Sequence, residues 1–190
     1  MGPVIIETPR LRIRAWSPSA EDCDDFMRLA TNPEVVRFIS EGRPYGRLEV
    51  EQFVARQFDT QERLGWCRWA LELREPGKLD PRGAIGFCGP GCTFAPDIEI
   101  GWWLHFDLWG RGLATEAGRA VVDYCFGTIG FDRLICMVHV DNLASRRVAE
   151  KVGFEPIEQL DWKGIPLIKH EMLNPLPEPP RDERFVRVCA

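Results

Sequence analysis

The residues best placed to do chemistry in this 190-residue chain lie between Ile98 and Cys125, IEIGWWLHFDLWGRGLATEAGRAVVDYC. Ile98 to Leu104 reads as a strand, Asp107 to Ala114 as a glycine-bearing loop, and Thr115 to Phe126 as a helix. A strand running through such a loop into a helix is an anion site. The first backbone N–H groups of the helix lack partners, and its dipole adds partial positive charge there. Gly110 and Gly112 allow main chain to approach a ligand closely, and Arg111 can add charge. The expected ligand is a phosphate or pyrophosphate. The pattern G-x-G-x-x-T lacks the third glycine of the dinucleotide fingerprint, and no Gly-Lys-Ser/Thr follows as in a P-loop. A tight turn with no ligand is the competing reading.

A second constellation runs from Asp141 to Phe154, DNLASRRVAEKVGF. Asn142 fits a helix N-cap with Ser145 three residues on, and Gly153 fits the C-terminal cap. Ala144, Val148 and Val152 repeat at four-residue spacing, which predicts a buried stripe. By itself this is an ordinary amphipathic helix.

Two further groups carry less. Cys88 and Cys92 stand at C-x3-C in a Gly-Pro-rich turn, but two more ligands at zinc spacing are missing, so no metal is expected. His139 has the right pKa class for base work, yet a single His on an apolar strand is more often a core residue; His105 and His170 have weaker cases.

The elements that position these groups follow from the rest of the chain. Residues 4–15 predict a first strand, and Ser19 caps a helix whose stripe is Cys23, Phe26, Met27 and Ala30. A short helical piece at 34–39 and a longer helix over 48–62 come next. Strands are expected at 66–73, 84–89, 98–104 and 133–140, a helix from Asp141–Asn142 to Gly153, and two weaker strands near 154–161 and 167–173. The order β, α, α, β, β, β, α, β, α, β, β predicts a mixed sheet with helices on its faces. One domain over 1–173 is expected, with 174–190 a Pro-rich tail.

Composition bounds the function. Hydrophobic residues are 45% and charged residues 28%, as in an ordinary globular protein. The net charge of −5 argues against a general nucleic-acid binder, which needs clustered Lys and Arg. Ten acids against six bases fall in residues 19–63, so most of that surplus is local. Neither a secretory signal nor an 18-residue apolar run is present, so no membrane association is expected. The seven cysteines are odd in number and several sit in apolar runs, which predicts reduced thiols and a cytoplasmic setting. The Trp pairs 66/69 and 102/103 predict core and pocket wall.

Taken together, Thr8-Pro9-Arg10-Leu11-Arg12-Ile13-Arg14, Glu99 to Leu104, Trp109 to Ala117, and Asn142 with Glu150-Lys151-Val152-Gly153-Phe154 resemble the GCN5-related N-acetyltransferase superfamily. Within it, the branch containing the ribosomal-protein alanine acetyltransferases is the most similar. The resemblance covers about residues 5–173 and implies an α/β (α+β) fold. Its mixed, mostly antiparallel central sheet splays between two strands, with helices on both faces.

It also implies acetyl-CoA as co-substrate, without a metal. The pantetheine would pair with backbone at Trp102, Trp103 and Leu104. The pyrophosphate would sit on backbone amides of Trp109, Gly110, Arg111, Gly112, Leu113 and Ala114, with Thr115 also on the cofactor. Asn142 and Ser145 would face the pantetheine arm and the sulfur. The implied reaction is direct attack of an amine on the thioester. An alkylammonium with a pKa near 10 must first lose a proton, and Glu99, on the strand face of Gly101 and Trp103, is the candidate base. An acid that merely pairs with an Arg is the alternative. Many members carry a Tyr acid before Glu-Lys-x-Gly-Phe; Ala149 stands here, so Ser145 is the candidate for orienting or protonating the sulfur.

The acceptor is expected to be a small-molecule amine or a protein N-terminus, cationic if the acidic region 19–63 lines its cleft. Loops 40–48, 74–82 and 88–97 are expected to shape that cleft, in a monomer or homodimer. A non-catalytic acyl-CoA-binding sensor or scaffold of the same fold is the competing function, and a thiol or metal protein using Cys88 and Cys92 a weaker one.

Overall fold

The structure is a computed structural model that describes residues 2–39 and 42–175. Eight strands form one sheet in the order β1-β2-β3-β4-β5-β6-β8-β7. They are β1 (Val4–Glu7), β2 (Leu11–Arg14), β3 (Trp69–Leu73), β4 (Gly86–Gly91), β5 (Glu99–Leu104), β6 (Arg133–His139), β7 (Glu155–Trp162) and β8 (Ile165–Leu173). The helices are α1 (Ala20–Ala30), α2 (Pro33–Val36), α3 (Arg47–Leu64), α4 (Leu113–Tyr124) and α5 (Leu143–Val152). All neighbouring strands are antiparallel except β5 and β6.

Successive side chains of β5 report the two faces of the sheet. Trp103 stacks on Phe26 of α1, while Trp102 reaches Ser145 of α5. On the α1/α3 face Trp16, Phe26, Phe53, Phe87 and Trp103 form an aromatic cluster, with the Phe26 and Phe53 rings stacked 4.2 Å apart. Cys23, Phe26 and Ala30 are buried as their helical spacing predicts, and Ser19 caps α1 by accepting from the Asp22 N–H.

The predicted single strand over 4–15 is instead a hairpin. Thr8 and Pro9 break it, and the Thr8 hydroxyl takes the Leu11 N–H at 2.9 Å. The strand predicted from Trp66 starts at Trp69, because the Arg68 N–H is taken by the Gln57 side chain rather than by a strand. Trp66 and Trp69 are buried in the core, as are five of the six cysteines described; burial pushes the Cys88 thiol up to about 12. The seventh, Cys189, and all of the Pro-rich tail beyond Pro175 lie outside the described residues. Asn174, at the start of that tail, is held by the domain: its N–H donates to Asp132 and its amide to Phe131. Among the described residues no helix is long and apolar enough to cross a membrane.

Candidate active site

The split that organises the site is visible in the pairing of β5. Its β4 edge is paired along its whole length, from Glu99↔Gly91 to Leu104↔Gly86. On the other edge its register with β6 is a single pair, Glu99↔Ile135. The two parallel strands then part, and backbone from Ile100 onward has no strand beside it. An edge of this kind offers N–H and C=O groups to an extended ligand.

Two cavities open at the split. The first, of about 280 Å³, lies on the side of α3 and the β7–β8 hairpin; the second, of about 310 Å³, lies between the end of β5, the α4 N-terminus and α5. They share Phe38, Ile39, Trp102, Trp103, Asn142 and Ser145, so a molecule in one meets a molecule in the other at these side chains.

The second cavity opens on backbone that is able to hold an anion. Gly112 is the N-cap of α4 at φ 76° with no side-chain cap, and Gly110 also has a left-handed φ of 74°. A Cβ there would be strained, so glycine is required by conformation as well as by access. Gly110, Gly112, Ala114, Thr115, Trp102, Trp103, Leu104 and Trp109 all line this cavity. The side chains of two residues in this turn do not, although their backbone belongs to it. Leu113 is buried in the core, and the Arg111 guanidinium turns away to pair with Asp80 through both nitrogens, at 2.7 and 3.2 Å. Donating to that carboxylate raises the pKa of Arg111 and ties the glycine loop to the 74–82 loop, none of whose residues lines the first cavity. Arg147 and Lys151 of α5 supply the cavity's cationic side chains instead. The Leu104 carbonyl is committed to the Trp109 indole N–H at 2.8 Å, which leaves Trp102 and Trp103 as the freer part of the strand edge.

The Thr8-Pro9-Arg10 turn has a structural task here. Glu116, in the first turn of α4, accepts from the Thr8 hydroxyl at 2.6 Å, the Arg10 N–H at 3.0 Å and Arg10 Nε at 2.6 Å, while Arg10 Nη1 donates to the Arg111 carbonyl. The β1–β2 hairpin thus clamps the glycine loop. Partial burial would raise the Glu116 pKa, but the bonds from Thr8 and Arg10 outweigh it and lower the pKa. A carboxylate whose folded pKa lies below its unfolded one adds stability above the ordinary carboxylate range and loses it as pH falls through the folded value. Glu116→Gln should therefore melt lower than the parent at pH 7, and the gap should close in acid. Melting curves from pH 7 to pH 3 test this, and a gap independent of pH would refute it.

The predicted buried stripe on α5 holds at Val152, which packs against the core, but not at its other two positions. Only Ala149, beside that stripe, is fully buried; Ala144 is exposed, Val148 is half-buried, and both line the second cavity. These two present their apolar face to the cavity and not to the core. Asn142 caps α5 by accepting the Ser145 N–H at 3.1 Å, which leaves its amide NH2 toward the junction of the cavities. Ser145 Oγ accepts the Trp102 indole N–H at 3.0 Å. Since an indole can only donate, the serine hydroxyl keeps its own proton free to give.

The first cavity holds Glu99, which is nearly buried, with Oε2 2.5 Å from Arg68 Nη2. Arg68 was not legible as a site residue. Gly91 and Gly101 make room for its guanidinium: a Cβ on either would come within 2.9 or 3.4 Å of Nε. Aromatic side chains wall the cavity, including Tyr45, Phe87, Phe94 and Trp162. His139 lines it too, but its Nδ1 accepts the Asp141 N–H at 3.1 Å, so the lone pair of the neutral ring is committed. His170 is buried, which lowers its pKa, and lies on neither cavity. Among the described residues no three His, Cys, Asp or Glu side chains converge as metal ligands.

None of the described acids of 19–63 lines the first cavity. Asp22 pairs with Arg14, Asp24 and Glu51 with Arg47, Asp25 with Arg28, and Glu49 with Arg43. Among the described acids of this region only Glu34 lines a cavity, and it is the second.

Comparison with known proteins agrees with this architecture. The family model for the GNAT acetyltransferase domain matches residues 10–155. An N-acetyltransferase of Bacillus subtilis known as YoaA, itself uncharacterized, is 31% identical over 155 residues, 80% of this chain and 82% of the relative. A GNAT-family acetyltransferase from Bacillus anthracis superposes with a TM-score of 0.74 at 21% identity, covering 89% of this chain and 98% of that one. RimL, described as a ribosomal L7/L12 alpha-N-protein acetyltransferase and solved with coenzyme A, superposes with a TM-score of 0.72 at 15% identity over 90% of this chain and 98% of its own. By the extent of the family match and the likeness to YoaA, the chain belongs to the GNAT acetyltransferase family.

Proposed function

We propose that residues 1–173 form one N-acetyltransferase domain that moves an acetyl group from acetyl-CoA to a primary amine, on a small molecule or a protein N-terminus, by direct attack. The observation that carries this reading is the meeting of two cavities, one built for an anion and an extended arm, the other holding a carboxylate, at Trp102, Trp103, Asn142 and Ser145. RimL is solved with coenzyme A, and a microcin self-immunity acetyltransferase with acetyl-CoA and AMP, which supports the choice of co-substrate.

Acetyl-CoA supplies the thioester. The amides of the Gly110–Thr115 turn, with Arg147 and Lys151, hold its phosphates. The open edge of β5 at Trp102 and Trp103 takes the pantetheine arm, and a backbone N–H of this edge donates to the carbonyl oxygen as it gains charge. Glu99 accepts the proton of the acceptor ammonium, directly or through one water. As the amine nitrogen bonds to the carbonyl carbon and the C–S bond breaks, the nitrogen gives up its second proton, and the Ser145 hydroxyl passes one proton to the departing sulfur and regains one, so that an amide and a thiol result. The indole of Trp102 holds that hydroxyl in place and makes it a better donor.

Thiol release from acetyl-CoA over a panel of peptides, amino acids, polyamines and aminoglycosides tests the proposal. Turnover with an amine supports it. Tight CoA binding without turnover on any of them would instead support a non-catalytic acyl-CoA-binding module, a reading favoured by Ala149, buried at the position where the resemblance to the superfamily implies a Tyr acid.

Ser145→Ala should lower kcat by roughly 10–100-fold, the worth of a hydrogen bond to a charged group, with the acetyl-CoA KM little changed. Trp102→Phe should move kcat the same way by less. Unchanged kcat in both would remove the serine from the reaction.

A further inference from the structure

We propose that the first cavity selects a small zwitterionic acceptor, an amine carrying a carboxylate a few bonds away on an aromatic or branched apolar body. The inference rests on the acetyl-transfer reading above and names its substrate class. It reverses the expectation of a cationic acceptor.

Three observations lead to it. Among the described residues the charged side chains lining the cavity are Arg56, Arg68 and Glu99, a cationic balance in a chain whose net charge is −5. Arg68 is half-buried and spends Nη2 on both Glu99 (2.5 Å) and Thr93 (2.8 Å), while Nη1 makes no hydrogen bond among the described residues. Arg56, on the exposed side of α3 one turn from Phe53, has no ion pair among the described residues although most other arginines of α1–α3 do.

A guanidinium and a carboxylate in contact present opposite charges side by side. A zwitterion with its ammonium at Glu99 and its carboxylate at Arg68 Nη1 matches that pair, and Arg56 at the rim adds a second cation to the carboxylate. A polyamine would meet two arginines with one carboxylate between them, and like charges facing each other reject a partner. The body of the acceptor would lie against Tyr45, Phe87, Phe94 and Trp162; Phe94 and Trp162 meet at 5.0 Å across the opening. About 280 Å³ fits a molecule of amino-acid size or one terminal residue, smaller than most drug-sized ligands need.

The test uses the full chain with saturating acetyl-CoA. Thiol release is compared within matched series: phenylalanine, phenylalaninamide and phenethylamine, the same set built on leucine, and spermidine with an aminoglycoside as cationic controls. The expected result is a kcat/KM at least tenfold higher for the carboxylate member of a series, and a drop of at least fivefold in that preference in Arg56→Gln, carried by KM. Equal or better turnover of the amides, the plain amines or the cationic controls overturns the proposal, as does a preference that Arg56→Gln leaves intact.

A second readout separates the two readings. N-acetylphenylalanine and its amide are titrated against the CoA-loaded chain by tryptophan fluorescence, since Trp102, Trp103 and Trp162 line the cavity. Carboxylate-dependent binding without turnover of any amine upholds the subsite while refuting acetyl transfer. Binding without carboxylate preference refutes the subsite whatever the turnover.

Discussion

Glu99→Gln should lower kcat for acetyl transfer by about 10²–10⁴-fold at pH 7 while CoA binding stays within a few-fold of the parent, the range expected for loss of a general base. The substitution keeps the shape of the side chain and a carbonyl oxygen that can accept from Arg68, now 2.5 Å from Oε2. It removes the negative charge, and with it the ion pair to Arg68 and the ability to take a proton. Glu99 lies on the first cavity, and the anion turn lies on the second, so loss of the base and loss of CoA affinity separate cleanly.

The variant should recover with rising pH. An alkyl ammonium with pKa around 10 gives about tenfold more free amine per pH unit below that value, so its rate should climb steeply where the parent's does not. Thiol release from pH 6.5 to 9.5, with calorimetric CoA titration, measures both effects. If Glu99→Gln keeps full activity, the carboxylate serves only to pair with Arg68, and the proton leaves by another route.

The legible and illegible parts of this molecule divide along a physical line. The β5–loop–α4 unit could be read because glycines at 110 and 112 are forced by left-handed φ, and such positions leave a mark in sequence. Caps at Ser19, Asn142 and Gly153 were readable for the same local reason. The side chain of Arg111 was not, because its partner Asp80 is set by how a distant loop folds back. Arg68 was invisible for a related reason: nothing beside it in sequence indicates that Gly91 and Gly101 clear space for it.

The α5 stripe was misread at Ala144 and Val148 because apolar spacing says which residues share a face, not whether that face meets the core or a cavity. The acidic surplus of 19–63 misled in the opposite way. Net charge sums over a segment, whereas the cavity depends on which few side chains turn inward, and most of those acids are spent on nearby arginines.

The largest expected loss of stability comes from a pair that alternation also hid. Leu11-Arg12-Ile13-Arg14 alternates as if Arg14 faced water, yet Arg14 and Asp22 are each only 2% exposed. Arg14 donates to both Asp22 oxygens, at 2.9 and 2.6 Å, and through Nε to Glu72 at 2.6 Å; the Ser17 N–H completes Asp22 at 2.7 Å. Burial alone would lower the Arg14 pKa, but the two carboxylates outweigh it and raise it, so Arg14 stays charged. Asp22→Ala strands that charge with half its partners and leaves the Ser17 N–H without its acceptor. Breaking a buried pair on one side costs about 3–5 kcal/mol, and a chain of this size loses roughly 2–4 °C of melting temperature per kcal/mol, so a fall of about 6–20 °C is expected.

Arg14→Met in the Asp22→Leu background should recover part of that loss, because it removes the stranded charge instead of leaving it unpaired. A fall of a degree or two in Asp22→Ala would show that water reaches Arg14 and that the pair contributes little. The consequence reaches the acceptor side. Asp22 ties the first turn of α1 to β2, and one turn later Phe26 stacks on Phe53 and Trp103. Trp103 is shared by both cavities. Below its own melting temperature, Asp22→Ala should therefore raise the acceptor KM more than it lowers kcat, because the wall that positions the amine loosens while Glu99 and Ser145 stay on β5 and α5.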